Sequence, residues 1–386
     1  VISARVAYSM VWFDMAALFP ALRSITGYSA SALGAFTTAF LLGSGVFQVP
    51  AGFLSARLGA ARTTLAGLLL IALFTFGSAF SPGFLFQFVM RFLTGLGAAF
   101  FFAPAMVVAS QAIGGRRSGL VVGVYNGAFN VGGGIALFVF TPLSVTYGWR
   151  FPYLVIGALL TANLVVCTLA FRGVGDGSKL GAGGSRTVFT SKPLWVVIVG
   201  IVGLTAAYYV ISQFVVEYSE NFLGFSPYVA GTVSSMILFG GIIGGPLGGW
   251  LLGKRGSRVM LATIPSFLVS VLVLVYTVDN AYVLGFSSFA LGLFDGMAYT
   301  VAYVLPIRLR DIEKRFVPLA IGLVNSVGIV TGSVASVMFA QGVVSAGYSP
   351  SWIALGIGTM FFPLAVVIKR KLFTEEEAGQ QSRQTV

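Results

Sequence analysis

Long stretches of this chain carry no charge. None lies between Arg23 and Arg57, Arg62 and Arg91, Arg117 and Arg150, Arg150 and Arg172, Lys192 and Glu217, or Glu220 and Lys254. A helix crosses the hydrocarbon core of a bilayer with about 20 apolar residues, and each interval holds at least one such stretch. A soluble domain needs more surface charge than the 9% found here beside 57% hydrophobic residues. A transmembrane barrel would instead alternate in segments of about ten residues. The chain therefore reads as an all-α protein that spans a membrane many times.

Twelve spans are expected, at 2–21, 30–55, 62–81, 84–111, 119–142, 150–171, 193–217, 227–252, 258–278, 281–307, 317–344 and 350–369. The net charge of +12 is gathered on every second loop. Arg57, Arg62, Arg116 and Arg117 follow spans two and four; Lys254, Arg255, Arg258, Arg308, Arg310, Lys314 and Arg315 follow spans eight and ten. Arg172, Lys179, Arg186 and Lys192 follow span six, and Lys369, Arg370 and Lys371 follow the last. This is the positive-inside pattern, so both termini are expected in the cytoplasm of a cell-membrane protein, and nucleic acid is not expected as a partner. The Gly- and Ser-rich stretch from Arg172 to Arg186 reads as a flexible link. It divides the chain into a six-helix bundle at 1–171, a cytoplasmic linker at 172–192, a second six-helix bundle at 193–370 and a tail at 371–386. The single cysteine, Cys167, supports no disulfide framework, and there is no histidine. Neither a cofactor motif nor a metal-ligand cluster is visible.

The halves repeat. Leu120, Gly123 and Asn126 match Leu319, Gly322 and Asn325 at one offset, which also pairs Gly148 with Gly347, Trp149 with Tyr348, Tyr153 with Trp352 and Gly157 with Gly356. Two parallel six-helix repeats predict two pseudo-symmetric bundles with a cavity between them.

Span two ends in GFLSARLGAAR, and span eight in GWLLGKRGSR. The first resembles the signature loop of the major facilitator superfamily through Gly52, Leu54, Arg57, Gly59 and Arg62; the second is a weaker copy, through Gly249, Leu251, Lys254, Gly256 and Arg258. Arg91, Gly95 and Gly97 resemble the family's pattern in span four, and GWRFPYLVIG at span six is also typical. The resemblance implies a secondary transporter that works by alternating access, with Gly52, Arg57, Gly59, Lys254 and Gly256 as gating residues. Two departures stand out: Ala56 and Gly253 occupy the loop's acidic position. Span five also lacks the Gly-Pro pair common in drug/proton antiporters. Within the superfamily, spans four to six are most similar to prokaryotic carriers of small organic anions.

Five ionisable residues fall within spans: Arg5, Asp14, Arg91, Glu217 and Asp295. At about 1.5 Å per residue, Asp14 and Arg91 both lie roughly 10 Å below the outer edge. In the resembled fold, spans one, four, seven and ten line the central cavity, so the two can meet there. One reading is a packing pair. The other is functional: Arg91 binds a substrate carboxylate through its two-pronged fork, while Asp14 exchanges a proton. Protonating Asp14 would release Arg91 to the substrate. Asp295 is a packing acid bonded to a hydroxyl, a second proton-coupling site or a contact for a cationic group. Arg5 is expected to snorkel to the interface, and Glu217 to be solvated. Asn126, Asn325, Tyr208, Tyr209 and Gln213 are candidate substrate contacts, against a plain role in interhelical bonding. Phe100, Phe101 and Phe102 read as packing or lipid-facing.

The expected function is proton-coupled symport of a small organic anion by a monomer, with lipid, protons and a small-molecule substrate as partners. One alternative is efflux of cationic amphiphiles, with Asp14 and Asp295 holding the cation. Another is a carrier-like receptor that does not transport. No nucleophile, base or metal set suggests an enzyme.

Overall fold

A computed structural model describes residues 1–113, 117–172, 184–254 and 258–371 of the chain. These form helices and turns, with no strand among them. The helices are α1 (Ile2–Thr26), α2 (Ala30–Leu58), α3 (Ala60–Ala79), α4 (Phe84–Ile113), α5 (Ser118–Tyr147), α6 (Arg150–Ala170), the short α7 (Ser185–Thr190) and α8 (Lys192–Glu217). After them come α9 (Pro227–Gly253), α10 (Arg258–Leu274), α11 (Ala281–Arg308), α12 (Val317–Ala346), α13 (Tyr348–Met360) and α14 (Leu364–Ile368). Eleven helical stretches are long and apolar enough to cross a membrane, with α13 and α14 forming one of them. The twelfth is α1, with 25 residues and the charges of Arg5, Asp14 and Arg23. Large apolar side chains such as Phe138, Phe286 and Val344 stand almost wholly exposed on the outside, a surface suited to lipid and not to water.

Local chemistry sets the ends. The α1 helix runs past its expected stop at 21 and closes at Gly27, whose φ of 69° forms a left-handed cap. Ser29, Ser191 and Ser226 cap α2, α8 and α9 by accepting a backbone N–H, and Asn280 accepts two at the start of α11. The last span is not continuous. It breaks after Met360, before Pro363, which lacks the N–H a helix needs. The short α7 lies within the expected linker at 172–192, and its Val188 is buried.

By contacts, the chain divides into two compact units. Unit 1 holds Val1–Ala112, Ala128–Ser185 and Lys314–Ser326; unit 2 holds Ile113–Gly127, Arg186–Glu313 and Val327–Val386. The start of α12 thus packs in unit 1, and the start of α5 in unit 2.

The duplication is visible in how each unit packs. In unit 1, α2 and α4 approach so closely that a Cβ on Gly43 would strike the Phe92 carbonyl, and one on Gly95 the Phe40 carbonyl. In unit 2, a Cβ on Gly240 would strike the Phe289 carbonyl, and one on Gly292 the Ile237 carbonyl. Each residue of the first set lies 197 positions before its counterpart. The borrowed segments repeat the correspondence. Gly52 of α2 lies against Leu319, and Gly249 of α9 against Gly119 and Leu120.

Candidate functional site

The ion pair lies inside unit 1, where α1 and α4 face each other. Arg91 Nη1 donates to Asp14 Oδ2 at 2.8 Å, and both terminal nitrogens of Arg91 reach the Val11 carbonyl at 3.3 Å. The guanidinium carbon lies 4.9 Å from the centre of the Phe40 ring, within cation–π range. Asp14 is 0% exposed and Arg91 1%. The equal depth reckoned from helical rise therefore produced a contact. A carboxylate, a carbonyl and a ring surround the guanidinium. Removing either partner of such a pair costs about 3–5 kcal/mol, because the other charge is left buried alone.

A polar chain adjoins the pair. Gln87, one turn before Arg91 on α4, donates through Nε2 to the Tyr153 hydroxyl at 3.0 Å. That hydroxyl donates to the sulfur of Met15 at 3.1 Å. Asp14 Oδ1 and Gln87 Oε1 are buried acceptors with no hydrogen-bond partner among the described residues. Sequence reasoning missed Gln87 and Tyr153. The signal for Gln87 was its spacing, four residues from the lone arginine of a helix without other charges.

Arg5 does not snorkel. It is 3% exposed, and its guanidinium carbon lies 4.5 Å from the ring centre of Tyr8, 4.7 Å from that of Phe129 and 4.8 Å from that of Phe102. Three aromatic faces surround the cation within unit 1. Phe101 and Phe102 are buried and Phe100 is half-buried, so the first two are packing residues.

In unit 2, Asp295 of α11 is 9% exposed, and among the described residues no hydroxyl bonds it and its Oδ1 has no partner. Asn126 donates from Nδ2 to the Thr300 hydroxyl at 3.2 Å, and its Oδ1 has no partner among the described residues. Tyr208 and Tyr209 are half-buried, and the Tyr209 ring lies against Gly332 of α12. Gln213 and Glu217 are exposed. Asn325, the repeat mate of Asn126, is buried in unit 1.

Of the gating candidates, Gly52 is packed on Leu319, while Arg57 is exposed. Gly59 joins α2 to α3 with a φ of 91°. Lys254 is exposed, its Nζ 3.8 Å from the centre of the Trp250 ring. Gly256 lies outside the described residues.

Comparison with known proteins adds to this geometry. The family model of the Major Facilitator Superfamily matches residues 2–336. The 4-hydroxybenzoate transporter PcaK of Pseudomonas aeruginosa is 31% identical over 155 residues, which span 40% of this chain and 34% of that protein. The probable sulfoacetate transporter SauU of Cupriavidus necator is 22% identical over 401 residues, spanning 94% of this chain and 91% of that one. Among solved structures, FucP, a superfamily transporter crystallised in the outward conformation, superposes with a TM-score of 0.74 at 13% identity, covering 95% of this chain and 98% of that one.

Proposed function

Because the chain belongs to the major facilitator superfamily, and is therefore a multi-pass membrane transporter and not an enzyme, we propose that it takes up a small organic anion together with protons by alternating access. The single observation that carries this reading is the sealed pair of Arg91 and Asp14. A buried guanidinium held by a lone carboxylate is a two-state device. While Asp14 is ionised, it occupies the fork that a substrate carboxylate needs. Protonation removes that competitor and frees Arg91, and a substrate on Arg91 in turn lowers the cost of a neutral Asp14. Each ligand thus favours the other, which is positive coupling in a stated direction.

The names of two relatives fit an organic anion, since one is called a transporter of 4-hydroxybenzoate and the other of sulfoacetate. Asp295, a buried carboxylate whose Oδ1 has no partner among the described residues, serves in this reading as the second proton site. Asn126, Asn325, Tyr208, Tyr209 and Gln213 are the further substrate contacts. The functional lobes are 1–171 and 193–370, joined by 172–192, in a monomer of the inner membrane with both termini and the 371–386 tail in the cytoplasm. The close contacts of Gly52 with Leu319 and of Gly249 with Gly119 support a gate, in this reading, on the side of the basic loops. Arg57, Gly59, Lys254 and Gly256 belong to it.

Proteoliposomes provide the test. An inward proton gradient is expected to drive accumulation of labelled 4-hydroxybenzoate or sulfoacetate, and Arg91→Ala to abolish it. Normal uptake by Arg91→Ala would end the reading. Asp295 also favours a second one, efflux of cationic amphiphiles, since a lone buried acid suits a cation as well as a proton. Movement of cationic dyes without movement of acids would select it.

A further inference from the structure

The motif GWRFPYLVIG plays no part in the ion pair, yet it builds one side of a cavity. At the end of unit 1 where α1 finishes and α4 and α6 begin, a space of about 180 Å³ is lined by Tyr28, Phe36, Ser81, Gln87, Trp149 and Arg150, among others. Pockets that hold drug-sized ligands measure roughly 300–1,000 Å³, so the occupant is smaller than that.

Three features define its chemistry. The first is charge. The Arg150 guanidinium carbon lies 4.8 Å from the centre of the Trp149 ring, and one nitrogen donates to the Ser81 carbonyl over a long 3.4 Å. A guanidinium has five donors, so most of them are uncommitted. Among the described residues of unit 1 the only carboxylate is Asp14, and Arg91 already holds it. Among the described residues of its own unit, Arg150 thus has no counter-ion. The second feature is shape: Tyr28, Phe36 and Trp149 supply aromatic walls, with Tyr28 and Phe36 packed edge to face at 6.2 Å. The third is an acceptor. Gln87 is 3% exposed, its Nε2 is committed to Tyr153, and its Oε1 has no partner.

We propose that this cavity is a binding site for a small ring-bearing carboxylate, held by Arg150 at the carboxylate and by the walls of Tyr28, Phe36 and Trp149 at the ring. A ring hydroxyl donates to Gln87. The site is distinct from the Arg91–Asp14 pair and does not depend on that pair carrying substrate. Gln87 stands one turn of α4 from Arg91, so the cavity and the pair are neighbours along that helix.

The test is equilibrium dialysis of labelled benzoate and 3-hydroxybenzoate against the purified full chain in detergent, with neutral benzamide as control. Benzoate is expected to bind and benzamide not to. In Arg150→Gln, benzoate affinity is expected to fall at least tenfold. The hydroxylated acid is expected to bind more tightly than benzoate in the wild type, and to lose that advantage in Gln87→Leu. Quenching of tryptophan fluorescence by benzoate is expected to vanish in Trp149→Phe, which retains an aromatic wall and a ring face for the Arg150 guanidinium. Unchanged affinity in Arg150→Gln, or quenching that survives Trp149→Phe, would overturn the proposal. Uptake in vesicles is not part of this readout, so failure of the transport reading and failure of this one are seen separately.

Discussion

A single guanidinium deep in hydrocarbon must be compensated, and Asp14, the Val11 carbonyl and the face of Phe40 compensate Arg91. The consequence for stability is non-additive. Arg91→Met alone leaves a carboxylate buried with no cation, and Asp14→Leu alone strands the arginine. Each is expected to destabilise by about 3–5 kcal/mol, while the double variant recovers most of the loss, because an apolar pair of similar volume carries no buried charge. Denaturation of the purified variants in detergent measures the cycle, and equal additive losses would show that the two residues do not act as a pair. This contact was legible in the sequence because helical rise is uniform, so depth follows from residue number. The fate of Arg5 was not legible. Whether a cation snorkels or turns inward onto Tyr8, Phe102 and Phe129 depends on the rotation of α1 and on which helices stand beside it, and residue numbers encode neither. For Asp295 the sequence left a hydroxyl-bonded packing acid and a proton site both open, since it lists the hydroxyls near a residue but not their directions.

At the scale of helices, close backbone approach is the rule within each unit. Gly95 fits because any Cβ there would meet the Phe40 carbonyl, whereas Gly134 of α5 faces open space. Gly95→Ala is therefore expected to force α2 and α4 apart, with a large loss of folded yield and thermal stability. Gly134→Ala is expected to be neutral or slightly stabilising, since alanine favours the helix by roughly 1 kcal/mol over glycine. Size-exclusion profiles with thermal melts distinguish the two, and a tolerated Gly95→Ala would refute the contact. The sequence disclosed the repeat through Leu120, Gly123 and Asn126 against their mates. It did not disclose that these segments pack with the opposite bundle's helices in units 2 and 1 respectively, because that is a property of contacts across some 200 positions. Smaller misses have local causes. Pro363 was visible but was read through, and α7 was hidden by the glycine-rich composition just before it.

For the whole molecule, the twelve spans were legible because bilayer thickness fixes their length and Lys and Arg punctuate them. What moves across the membrane was not, since substrate identity depends on a few side chains whose surroundings are set only in the fold. The central claim is that Asp14 carries a proton in exchange for releasing Arg91. Its most direct measurement is proton flux in weakly buffered proteoliposomes when organic acid is added outside. The account predicts external alkalinisation in step with uptake by the wild type. In Asp14→Asn it predicts no alkalinisation, with exchange of labelled for unlabelled acid retained. Alkalinisation persisting in Asp14→Asn would contradict it.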